Sequence, residues 1–86
     1  MKTVVQVVET EHEGLEAFLG KTVTLWCNYI YTGTLLGINA TCVKLGDAKV
    51  VYETGPLGDK AWRDAQSLPG EWYVMLNAIE SFGHLK

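Results

Sequence analysis

The stretch KTVTLWCNYIYTGTLLGINA, residues 21–40, decides the fold. Val23, Leu25 and Cys27 alternate with Thr22, Thr24 and Trp26, a period of two that describes a strand with one buried face. Asn28 marks a turn, and Tyr29 to Ile38 reads as a second, longer strand. Gly33 and Gly37 lie four residues apart on one side of it. Glycines inside a strand mark a bend or a close backbone approach, and strong bending lets a small sheet curl on itself.

Outward from this pair, Asn39-Ala40 makes the next turn and Thr41 to Leu45 a third strand, interrupted at Gly46-Asp47 and resumed at Val50-Val51-Tyr52. Gly55-Pro56 and Pro69-Gly70 bracket an insertion at about 55–70. Within it, Asp59 is placed to cap a short helix whose Trp62, Ala65 and Leu68 would cover part of the sheet. Trp72 to Phe82 is extended again, with a kink expected near Asn77-Ala78. On the N-terminal side, four valines within Thr3 to Val8 favour an extra strand. Thr10-Glu11-His12-Glu13 fits a capping box, followed by an apolar stripe of Leu15, Phe18 and Leu19 that Gly20 stops. The expected fold is therefore mostly β: a small, strongly bent, five-stranded antiparallel barrel with a short N-terminal helix, an extra N-terminal strand and a short helical insertion. Its 86 residues form a single domain, 1–86.

Composition narrows the function classes. Hydrophobic residues make up 48% and charged residues 20%, a balance that belongs to a compact chain rather than a disordered one. No apolar run approaches the roughly 18–20 residues of a membrane-spanning helix, and no signal-peptide core follows Met1, so a cytoplasmic setting is expected. The net charge of −3 comes from the first twenty residues, where Glu9, Glu11, Glu13 and Glu16 face Lys2 alone; from Lys21 onward acids and bases balance. Such a chain does not attract polyphosphate indiscriminately, which leaves only a local site for it. Cys27 and Cys42, with His12 and His84, lack the spacing of a metal site, and no cofactor is expected. There is no Ser-His-Asp or Cys-His set at a Gly-rich elbow and no phosphate loop, so no enzymatic activity is expected either.

Two segments together resemble the signatures of the Sm-like family, which comprises the Sm, LSm and bacterial Hfq proteins. Gly20-Lys21-Thr22-Val23-Thr24-Leu25 through Tyr29-Ile30-Tyr31-Thr32-Gly33-Thr34-Leu35 to Asn39 is similar to the first: a short helix, a V-x-hydrophobic strand, then a strand whose bend glycine is followed by x-Leu. Tyr73-Val74-Met75-Leu76-Asn77-Ala78-Ile79-Glu80-Ser81-Phe82 resembles the second, its Asn77-Ala78-Ile79 being nearest to the bacterial branch. The resemblance covers about residues 14–54 and 71–83.

It implies a divergent Sm-like protein whose subunits join through their fourth and fifth strands into a homo-oligomeric ring that binds single-stranded nucleic acid, chiefly RNA, at loops around a pore. Carried onto this chain, the fourth strand is Trp72 to Leu76 and the fifth Ala78 to Phe82, so Tyr73, Val74, Met75, Ile79 and Phe82 would line the subunit interface. The nucleic-acid-binding loops would present Asn39, Thr41 and Asn77. The chain also departs from the pattern. Asn39 stands where the family has Asp, Thr41 where a stacking residue is expected, and Leu76-Asn77 where an Arg-Gly or Lys-His pair is usual. The missing cation weakens the phosphate contribution that dominates affinity. Asn and Thr also favour turns for their own backbone geometry. A ring serving as a structural or adaptor oligomer without nucleic acid is therefore the alternative. Trp62, with Lys60 and Arg63, reads either as core packing beside two solvated cations or as a stacking-plus-cation surface.

Overall fold

The computed structural model describes residues 7, 8, 10 and 12–86. Thr3 to Val8 was expected to form a strand, and most of that segment lies outside the described residues. The chain forms a six-stranded antiparallel sheet: β1 (Thr22–Trp26), β2 (Ile30–Ile38), β3 (Cys42–Glu53), β4 (Asp64–Ser67), β5 (Trp72–Met75) and β6 (Ser81–Gly83). Its order is β4-β3-β2-β1-β6, with β5 also paired to β3. The sheet is not closed: among the described residues no ladder joins β6 to β4 or β5. Among the described residues helical structure is confined to two short 3-10 turns, Leu15–Phe18 and Leu76–Ala78. No described helix is long and apolar enough to cross a membrane.

The alternation read from residues 21–38 holds in three dimensions. Val23 and Leu25 of β1, Leu35 of β2, Val43 and Leu45 of β3 and Val74 of β5 join Leu15 and Ala48 in one core cluster. The reverse face of β1 is covered too. Thr24 and Thr32 are opposite one another and buried; Thr32 Oγ1 donates to the Val23 carbonyl at 3.1 Å, whereas Thr24 Oγ1 has no partner among the described residues.

β3 runs unbroken where two segments were expected. At Gly46-Asp47 the register against β2 slips by one residue between Thr32 and Thr34. Asp47 takes a left-handed φ of 48° there. A bulge adds one residue without ending the strand, and it shifts the phase of the buried set from Val43 and Leu45 to Ala48 and Val50. Gly33 lies opposite this bulge, fully packed. A Cβ built on it would stand 2.9 Å from the Gly46 carbonyl oxygen and 3.1 Å from the Ala48 Cα.

The insertion is not helical. The chain turns at Leu57-Gly58, and Asp64–Ser67 pairs with Lys49–Glu53 as β4. An isolated helix shorter than about 12 residues is marginal, whereas a strand here satisfies the open backbone of β3. β4 and β5 therefore form one interrupted track along β3. The Leu68 amide continues it by donating to the Ala48 carbonyl at 2.8 Å before Pro69-Gly70 breaks the ladder opposite the bulge. This makes six strands where five were expected.

The N-terminal helix is a single 3-10 turn. Gly14, at φ 76°, cuts it off from the presumed capping box. Thr10 and Glu13 instead exchange backbone hydrogen bonds at 3.1 and 3.2 Å. The Thr10 hydroxyl accepts from the His12 amide, and the Glu13 carboxylate accepts from the Val8 amide. Leu15 is buried and Phe18 meets Phe82 edge-to-face at 6.0 Å, but Leu19 is exposed.

Candidate functional site

Two loops that are distant in sequence are hydrogen-bonded together. The Leu76 amide donates to the Thr41 carbonyl at 2.8 Å, which joins the β2–β3 turn to the Leu76–Ala78 turn. Asn39 closes the first of these. Its Oδ1 accepts from the Thr41 amide at 2.8 Å, the Thr41 hydroxyl at 3.0 Å and the Cys42 amide at 2.9 Å. That oxygen is committed to the turn, as is the Thr41 hydroxyl proton. Only the amide nitrogen of Asn39 is left to face a ligand. Asn77 is exposed on the second turn. The structure thus brings Asn39, Thr41 and Asn77 to one end of the sheet, with Asn39 and Thr41 holding backbone as well.

Beside these loops lies a cavity of about 750 Å³. Leu15, Ile38, Leu76, Ile79 and Phe82 supply its apolar wall, Asn39 and Ala40 its mouth, and Glu16 and Glu80 its charge. Among the described residues no lysine or arginine lines it. Two carboxylates without a cation repel a phosphate, so whatever enters here must do so by its apolar or hydrogen-bonding parts.

The residues expected at a subunit interface divide by strand geometry. The Leu76–Thr41 bond extends the β3–β5 ladder by one pair. Antiparallel alternation then assigns hydrogen-bonded pairs to Val74 with Val43 and to Trp72 with Leu45. The N–H and C=O groups of Tyr73 and Met75 face outward along the open edge, and their side chains are more than half exposed. Val74 has its side chain in the core of its own subunit, leaving only backbone shape to an interface. Ile79 packs against that core, and Phe82, on the opposite edge strand, is 41% exposed. Lys44 lies 3.1 Å from Glu71 and 5.9 Å from the Tyr73 ring centre, and the Glu71 hydrogen bond and charge raise its pKa.

Trp62 is half-buried, and the structure surrounds it with more charge than its local sequence shows. Lys60 and Arg63 flank it, Lys49 comes from β3, and Lys86 lies over its ring at 4.9 Å. The first two were legible as a motif. Lys49 and Lys86 were not, because nothing local ties them to Trp62.

Cys27 and Cys42 are free thiols, and burial pushes the pKa of Cys27 up. Among the described residues no three His, Cys, Asp or Glu side chains are grouped to hold a metal ion.

No known family model, curated protein or solved structure matches this chain.

Proposed function

We propose that this chain is a divergent Sm-like subunit that assembles with copies of itself and presents its paired loops to single-stranded RNA. The observation that carries the reading is the junction of the Asn39–Thr41 and Leu76–Ala78 turns through the Leu76–Thr41 hydrogen bond. Residues from the two resembling segments thereby meet at one end of a bent sheet. The strand order supports the same reading: the two short terminal tracks, β5 and β6, occupy opposite edges. Edge strands with free backbone groups are natural pairing sites. Docking β5 of one copy on β6 of the next is head-to-tail, and such contacts close a ring when the rotation permits. Tyr73, Met75 and Phe82 would lie on that seam. The bent sheet would then be the half-barrel of the family, completed by its neighbours, and the setting would be cytoplasmic.

At the loops, Asn77 supplies a free amide that can both donate to and accept from a base edge. Asn39 contributes its nitrogen only. Light scattering tests the assembly, and a mass equal to a single 9.5 kDa chain refutes it. Fluorescence anisotropy with oligo-U and oligo-A at low salt tests the ligand. Asn77→Ala is the informative variant, because Asn39→Ala also opens the turn. Loss of binding in Asn77→Ala, with the oligomer intact, is the expected result.

A second reading is favoured by the charge of the neighbouring cavity, where Glu16 and Glu80 stand without a base among the described residues. In that reading the oligomer is a structural or adaptor ring that does not bind nucleic acid. It predicts the same scattering mass with no anisotropy response to either oligonucleotide.

A further inference from the structure

Of the seven lysines and arginines in a chain of net charge −3, four line one slot beside Trp62: Lys49, Lys60, Arg63 and Lys86. Among the described residues Asp64 is the only acid lining it. Like charges gathered on a small domain repel one another, so the cluster is unfavourable for the isolated fold and favours a bound anion. The four cations come from three separate parts of the chain, β3, the insertion and the stretch after β6, so their convergence is a product of tertiary structure.

The slot is also organised. Lys86 Nζ donates to the carbonyls of Thr54 at 2.7 Å, Pro56 at 2.9 Å and Ala61 at 2.9 Å, and lies 4.9 Å from the centre of the Trp62 ring. All three ammonium protons are used inward. Lys86 therefore pins the insertion and the indole while leaving its charge in place. Lys49, Lys60 and Arg63 are exposed. The sole ion pair of Arg63 among the described residues is a long one, 3.8 Å to Glu53, with both side chains more than 60% exposed. Such a pair holds its guanidinium weakly and leaves it free to turn to another anion. An adjoining slot shares Lys49, Trp62 and Lys86 and is lined as well by Thr22, Thr34 and Asp47, so one carboxylate and two hydroxyl groups lie beyond the ring.

We infer that this slot binds a nucleotide, its base against the Trp62 indole and its phosphate among Lys49, Lys60 and Arg63. A flat aromatic next to exposed cations matches a ligand that carries a π-face and an anion a few ångströms apart. Inorganic phosphate or a nucleoside alone satisfies only half of it. The site is separate from the loops at Asn39 and Asn77 and shares no lining residue with the cavity beside them. The nucleotide can be free or a unit of a single strand, and both present the same chemistry.

Calorimetric titration of the full chain with AMP, adenosine, inorganic phosphate and hexa-adenylate tests the assignment. The expected result is saturable binding of AMP, at least about tenfold tighter than adenosine or phosphate. The double variant Lys60→Glu/Arg63→Glu, whose side chains are exposed, should weaken it about tenfold or more at unchanged circular dichroism, and Lys21→Glu, elsewhere on the surface, should not. Asn77→Ala should leave AMP binding unchanged, which separates this site from the loop site. Hexa-adenylate binding more than about tenfold tighter than AMP, and lost in the double variant, assigns the slot to a strand; comparable affinities assign it to the free nucleotide. Absence of saturable binding of both AMP and hexa-adenylate up to about 5 mM overturns the proposal, as does a double variant that binds like the wild type.

Discussion

Gly33 is the position where one added methyl group tests the fold most directly. It sits in β2, opposite Val23 of β1 and facing the β3 bulge. A Cβ there would lie 2.9 Å from the Gly46 oxygen, 3.1 Å from the Ala48 Cα and 3.4 Å from the Leu45 Cβ. The two nearest atoms are backbone and so cannot swing aside like the end of a side chain. Overpacking of this kind costs about 1–3 kcal/mol net of the apolar burial it adds. For a domain of this size each kcal/mol moves the melting temperature by about 4–8 °C, so Gly33→Ala should melt about 5–20 °C lower. Gly37 provides the control, since a Cβ there meets nothing within 4 Å and its φ is not left-handed. Gly37→Ala should melt at or slightly above the wild type, because alanine restricts the unfolded chain by about 0.4–1 kcal/mol. Thermal melts followed by circular dichroism at a fixed chain concentration decide the matter. A Gly33→Ala protein within 2 °C of wild type, or an equal loss in Gly37→Ala, would refute the close β2–β3 approach.

Thr24→Val should stabilise the protein by about 1 kcal/mol, because it removes a buried hydroxyl that has no partner while keeping the side chain's shape; a lower urea midpoint would count against this. Asn39→Ala should cost about 1–2 kcal/mol through the three hydrogen bonds to its Oδ1, whereas Asn39→Asp, which can accept all three, should retain most of the stability; denaturant midpoints of the two variants make the comparison. In a Cys42→Ser background, alkylation of Cys27 should accelerate at higher pH in the folded chain than in the urea-unfolded chain, because burial favours the neutral thiol. The linked stability is present below the unfolded thiol's pKa and declines as pH rises through the folded one; coincident alkylation profiles would remove the burial argument.

The two hairpins were readable from sequence because each signal was local. Val23 and Leu25 alternate with threonines, Asn28 and Asn39 mark the turns, and Gly33 marks a close approach. The break near Asn77 was readable for the same reason and is a 3-10 turn between β5 and β6. The insertion differs from its expected helix because Asp59, Trp62 and Ala65 have helical spacing, while no local pattern reveals that the second half of β3 offers Asp64–Ser67 a partner. The N-terminal helix is shorter than the capping residues suggest because the left-handed Gly14 behind them separates them from the 3-10 turn. At the candidate site Asn39, Thr41 and Asn77 were named from the resemblance, but that the Asn39 oxygen is used up in its own turn depends on coordinates.

By itself the sequence determined which residues alternate into the core, where the chain turns and that the whole is antiparallel β, since these follow from a period of two and from the backbone preferences of glycine and asparagine. Tertiary structure alone decided three things: that β4 and β5 share one partner strand, that the carboxylates of Glu16 and Glu80 line the cavity beside the loops, and that Lys49 and Lys86 join Trp62. Periodicity is carried by neighbours along the chain. The choice of a strand's partner, and of which distant charges end up side by side, is made by the free energy of satisfying every backbone group of the sheet at once.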